Sequence, residues 1–431
     1  MFGNKLGTLW VAGLVLMATH GLVGSAEAGK KDAKVERKGV LAGLPSEAGP
    51  QLQKVLALGD NEWVNLGSPA PDPKWGHGRG RSWSCKMTYA PELRGAFLAG
   101  AGPHAFIKPD GHYDDIFFYD LNAHRWICIF PGVNTKTFGD DAKEGRLKVN
   151  DDGQLTDQEG RIIPLAYRSH SGQTHTYDTD QCKWVSNGIP GGIDPDWWSA
   201  KVPWYLAGAP HLTGKPDKVA GQLLSFNTIT GLFERPAGKK PPVRGGGARG
   251  EAFFYLPTKK AYWAYSSDKG TQIGDVATGQ WTVAKTKDGP PGTDLGACYD
   301  SKRDRIYTSG GTGNKYDKGE GYIYIYDVKT GAWSNPPNKG PAVEIPGSTW
   351  GMIHYDTASD KVVVLRLGKG VSTYDPETGE FSEEKPLPKE MRKDNWHGFY
   401  SPEVNAHFIY VAIDGRDKGD MWAYRYKRAA K

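Results

Sequence analysis

The sequence predicts an all-β chain wound into a six-bladed propeller, with the last blade closed by a strand from the N-terminal side. Three observations carry this: a composition rich in turn formers and aromatics, two phrases that recur along the chain, and one unmatched strand near each end. Of 431 residues, 57 are Gly, 29 are Pro and 12% are aromatic. Gly and Pro at that density place a turn every few residues, and the aromatics supply large side chains for packing. A disordered chain would be poor in aromatics, and a helical bundle would not tolerate so many Gly and Pro. All-β architectures often run to this length as one unit.

Residues 1–28 read as a removable export signal. Lys5 supplies the positive start, Leu9 to Val23 the apolar stretch, and Ala26-Glu27-Ala28 a small-x-small cleavage site. Thr19, His20 and Gly21 interrupt the apolar run, which leaves it too short for a membrane span. The expectation is an exported protein, periplasmic or extracellular, and not an integral membrane protein. Residues 29–60 follow as a basic linker with a short helix. Residues 29–38 carry five basic and two acidic side chains, so +3 of the net +5 lies in this tail. The body is close to neutral and shows no basic face, so no nucleic-acid partner is expected.

Residues 61–431 repeat. One phrase, aromatic-Asp-x-x-Thr-Gly-x-aromatic, appears as Tyr326-Asp327-Val328-Lys329-Thr330-Gly331-Ala332-Trp333 and again as Tyr374-Asp375-Pro376-Glu377-Thr378-Gly379-Glu380-Phe381. Looser copies run from Gly274 to Trp281, from Phe226 to Phe233, and from Tyr119 to Trp126. Each reads as strand, tight turn, strand: Asp or Asn bonds the backbone ahead of it and Gly takes the positive-φ position. A second phrase, an aromatic followed by a polar turn and a β-rich run, begins at Tyr89, Tyr177, Tyr255, Tyr299, Tyr355 and Tyr400, at intervals of 88, 78, 44, 56 and 45 residues. The shorter intervals match the period of a four-stranded propeller blade, and the two long ones contain insertions at 132–165 and 188–220.

Each repeat therefore holds four strands, A to D, as an A–B hairpin and a C–D hairpin. Six A–B hairpins are present, but only five C–D hairpins are complete. The sixth repeat ends in the single run Met421 to Tyr426, and Glu62-Trp63-Val64-Asn65-Leu66 stands near the other end without strands of its own. Pairing the two closes the ring and removes its exposed edges. The Tyr-Asp-x-x-Thr-Gly-x-Trp unit, with Gly310-Gly311 after a β run, resembles the kelch repeat of the galactose-oxidase-like β-propellers over roughly residues 60–428. The match is good in the fourth and fifth repeats and degenerate elsewhere.

That resemblance implies D–A and B–C loops gathered on one face around a central channel. Candidate ligand-binding residues on those loops are His77, Arg79, Arg81, His112, Asp114, His170, Arg249, Trp350, Trp396 and His397. Arg binds carboxylates bidentately and Trp faces stack on sugars, so the set suits a glycan or an acidic small molecule. No spacing among the His residues enforces metal coordination, and no cofactor is expected. The copper site of galactose oxidase, built on Tyr, His and a Tyr–Cys cross-link, has no residue-by-residue counterpart here. The acidic runs Asn150 to Gly153 and Asp157 to Gly160 lack the alternating ligands of a calcium loop. Cys85, Cys128, Cys182 and Cys298 imply no definite bridge, and Cys85 and Cys298 are expected as buried thiols. In the insertions, residues 132–165 read as a projecting hairpin, and Trp197, Trp198 and Trp204 form either a lid over the propeller or a recognition patch.

Three functions stay open at this level. One is an exported module, most simply a monomer, that holds a glycan or acidic small molecule at the loop face. Another is a sugar-modifying enzyme, an isomerase or oxidase, for which no acid–base pair stands out by spacing. The third is a protein-interaction scaffold, whose mark would be an apolar patch on the insertions. Fold analogy alone does not choose among them.

Overall fold

A computed structural model describes residues 36–81, 86–99, 112–113, 115–134, 137–150, 155–164, 174–187, 223–234, 252–267, 270–284, 289–291, 295–309, 322–341, 351–366, 368–391, 395–412 and 418–429. Six four-stranded antiparallel sheets make the six blades of a β-propeller. The inner strands are Thr88–Ala90, His175–Asp178, Ala252–Leu256, Ala297–Asp300, Gly351–Asp356 and Asn395–Ser401. Each contains one of the six recurring tyrosines and begins one blade.

Local chemistry explains the repetition. Five residues beyond each recurring Tyr, the A–B turn places a residue in the left-handed region: Arg94, Cys182, Lys260, Asp304, Asp360 and Asn405, with φ between 47° and 56°. The tyrosine braces that strained position where the side chain allows. Tyr299 and Tyr355 donate to Asp304 Oδ1 and Asp360 Oδ1 at 2.8 Å, and Tyr400 to Asn405 Oδ1 at 3.2 Å. Asp and Asn accept left-handed backbone more readily than other L residues. In the Thr-Gly turns, Asp327 Oδ1 accepts from the Thr330 N–H at 2.9 Å and its hydroxyl at 3.1 Å, while Gly331 takes φ +72°.

The sixth blade is completed as expected. Glu62–Gly67 pairs antiparallel with Gly419–Arg425, Trp63 standing opposite Tyr424 as Trp333 stands opposite Tyr326. Asn61, at φ +55°, takes the place of the turn glycine, and its N–H donates to the Tyr426 carbonyl at 3.0 Å. The Arg428 N–H donates to Asp60 Oδ1 at 2.7 Å, so separate stretches of chain rebuild one turn.

Between every pair of neighbouring blades lies an aromatic-rich core cluster. Trp263, Tyr265, Tyr326 and Trp333 join blades three and four, and Leu66, Trp126, Phe399 and Tyr410 join blades six and one. The other four interfaces are filled in the same way. Helix α1, Pro50–Leu56, buries Leu52 and Val55 in the cluster joining blades six and one, which ties the linker to the ring.

Two local features differ from expectation. The first insertion holds a helix, Phe138–Lys143, besides the hairpin of Lys148–Val149 with Leu155–Thr156, and Val133–Asn134 pairs with His112–Tyr113. In the fifth blade the outer strand is Lys385–Pro386, beyond Phe381, which makes only a single bridge to Tyr374. The second insertion lies outside the described residues.

Candidate functional site

The inner strands carry side chains into a central cavity of about 250 Å³. Its wall comes from blades one, three, four, five and six, and includes Lys86, Phe254, Cys298, Met352, His354 and Phe399. Alternation places one residue just before each recurring Tyr: Thr88, Thr176, Phe254, Cys298, His354 and Phe399. Four of these six belong to the cavity wall.

Lys86 enters just ahead of the first inner strand, where it bridges to Gly398 and the Met87 N–H donates to the Gly398 carbonyl at 2.8 Å. Its ammonium donates to the Phe253 carbonyl at 3.2 Å and lies 4.2 Å from the centre of the Phe254 ring. Such cation–π seating suits a charge kept partly out of water.

His354 is held from behind. Its Nδ1 lies 3.1 Å from Nδ1 of His407, with the rings parallel to within 3°. His407 Nε2 faces Asp356 Oδ2 at 3.2 Å. Asp356 Oδ1 accepts from the Tyr400 hydroxyl at 3.2 Å and from the Ala358 and Ser359 N–H groups at 3.0 and 2.9 Å. A carboxylate only accepts, so His407 Nε2 carries a proton. One further proton lies between the two Nδ1 atoms, since without it each would face the other with a lone pair. Burial, followed by the charges of His407 and Lys86, holds the His354 imidazole well below the usual histidine range, so it is neutral at pH 7. Burial alone would raise Asp356, but the His407 and backbone hydrogen bonds keep it below the ordinary carboxylate value. Cys298 is pushed well up by burial and by Asp300, and so remains a thiol. His175, bonded through Nδ1 to the Thr88 hydroxyl, is lowered to about 3 by burial and by Lys86.

Cys182 and Cys298 carry free thiols. Among the described residues no three His, Cys, Asp or Glu side chains converge as a metal site. None of their helices is long and apolar enough to cross a membrane.

No protein-family model and no curated protein matches the chain. Among solved structures, it is similar to a chain of one described as "Crystal Structure of Mitotic Checkpoint Complex", with 10% identity, a TM-score of 0.46, and coverage of 86% of this chain and 93% of that one.

The residues predicted from the loops fall elsewhere. Arg81 and His397 come together where blades one and six meet, the Arg81 N–H donating to His397 Nε2 at 3.0 Å. The Arg81 guanidinium is bonded to the Asp115 carboxylate and, at 3.3 Å, to the Asp115 carbonyl, so its charge is matched within the fold. Arg79 is buried and His77 half-buried on the same run of chain. Trp396 is a core residue, packed with Met352, Val411 and Trp422 between blades five and six, and not a stacking surface. None of these five lines the cavity. His112 lies on a strand whose side chains are not described, and Asp114, His170, Arg249 and Trp350 fall outside the described residues. Lys86, His354, His407 and Asp356 were not singled out from the sequence, and Cys298 was expected only as the buried thiol it is. Their signal was positional: Cys298 and His354 break the run of Thr and Phe just before the recurring Tyr.

Proposed function

We propose that the chain is an exported, monomeric kelch-type propeller that holds a small acidic molecule in its central cavity. The cavity wall carries that reading. Among its described residues Lys86 is a cation seated on the Phe254 ring, and none is a carboxylate. A volume of about 250 Å³ lies at the small end of ligand pockets, near the size of a single sugar acid. The Thr-Gly repeat supports the kelch assignment, the character of residues 1–28 supports export, and a sixth blade completed by the chain's own strand supports a monomer. A neutral imidazole at the wall favours, as a second reading, an acid–base enzyme over an oxidase.

Thermal unfolding of residues 29–431 with acetate, glucuronate, N-acetylneuraminate and neutral glucose tests the proposal. A ligand at a hundred times its dissociation constant adds about 2.7 kcal/mol. The acids are expected to raise the melting temperature and glucose to leave it unchanged, and Lys86→Met should erase the shift. A response to glucose equal to that of the acids would move the site to an uncharged glycan. Silence across the panel would leave a protein partner at the loops as the better reading.

A further inference from the structure

Around His354 the charges are nearly balanced without a ligand. Asp356 on the same strand contributes a carboxylate and Lys86 an ammonium. His407 reaches in from blade six, the Tyr400 hydroxyl bonds Asp356, and the neighbouring Cys298 is a thiol. The proton between the two Nδ1 atoms fixes where the next one can go. With Nδ1 of His354 engaged by His407, its Nε2 is the nitrogen left for a proton. The Gly398 carbonyl is placed to accept a hydrogen bond from the protonated ring, and with the Asp356 charge it favours the charged form. Burial and the charges of His407 and Lys86 oppose it. An anion seated at Lys86 cancels the last of these and adds an attraction of its own.

We propose that the cavity takes up its anion together with one proton, which lodges on His354. This rests on the reading of the cavity as an anion site. The Gly398 carbonyl and the Asp356 charge favour the proton on His354. The coupling is reciprocal: acidification strengthens anion binding, and the anion raises the proton affinity of His354 by the same factor. His175 also feels Lys86, but its ring lacks the link to a carboxylate that serves His354 and is not the expected acceptor.

Two measurements test it. Calorimetry with glucuronate at pH 6, in two buffers of different ionisation enthalpy, is expected to show uptake of close to one proton per anion. In His354→Asn the anion should still bind, with proton uptake near zero. The second needs no ligand: the side-chain nitrogens of His354 are followed by NMR against pH in the native protein and in Lys86→Met. Removing the ammonium stands in for neutralising it, and the His354 titration should rise by about half a pH unit or more. Anion binding without proton uptake would overturn the coupling while leaving the binding site intact. A His354 titration unmoved by Lys86→Met would overturn it whether or not any anion binds. If no acid binds at all, the anion reading falls, and the NMR result alone decides whether Lys86 and His354 are coupled.

Discussion

His175 and His354 both sit on inner strands, and burial, with the Lys86 charge adding to it, keeps both neutral. Each is therefore a stability term that depends on pH. The unfolded imidazole binds its proton near pH 6.5, whereas folded His175 does so only near 3. Between those values the unfolded state holds the extra proton, so the contribution is complete above 6.5 and fades as pH falls toward 3. Denaturant unfolding at pH 7, 5 and 4 is expected to show a steady loss in the native chain. In His175→Gln the slope should be shallower by up to about 1.4 kcal/mol per pH unit, and an unchanged slope would show that His175 is already charged when folded. At this scale the sequence told least. Arg81 was legible as a candidate anion ligand, but its charge is matched by Asp115, 34 residues away in sequence. Trp396 looked like a sugar platform because residue type says nothing of which strand face it occupies. His354 became visible only when the strands were laid side by side.

Elements were far more legible, because each blade repeats the same solution. The Thr-Gly turn states its own geometry: Gly331 and Gly379 stand at φ +72° and +76°, where a Cβ costs about 1–2 kcal/mol. Gly331→Ala is expected to lower stability by about that much with no change in fold, read as a shift in denaturant midpoint at constant slope. The A–B turn hid the same demand under varied letters, since Arg94, Cys182 and Lys260 hold a comparable φ without glycine. Its marker was the preceding Tyr and not the turn residue. The helix Phe138–Lys143 escaped because it belongs to no repeat and spans fewer than two turns, too short to show a hydrophobic period. The outer strand of blade five moved past Phe381 for a related reason: an edge strand packs on one side only, so its pattern is weak.

For the whole molecule, closure is the decisive feature, and it followed from counting hairpins. Core clusters fill all six blade interfaces, so opening one exposes aromatic surface on two blades. A circular permutant that joins residue 429 to residue 36 through a long flexible linker and opens the chain between 284 and 289 is expected to fold and melt within a few degrees of the parent. Removal of residues 29–67 should instead leave the Gly419–Arg425 strand bare and drive association, visible as higher oligomers on gel filtration. A monomeric deletion with an unchanged melting point would mean the ring does not depend on its borrowed strand. The same seam orders events in time. The Tyr424 hydroxyl reaches Asn61 across 363 residues of sequence, so the strand that seals the ring leaves the ribosome long before its partner exists. Until Gly419–Arg425 has been made the ring stays unsealed, and a product truncated before it never locks.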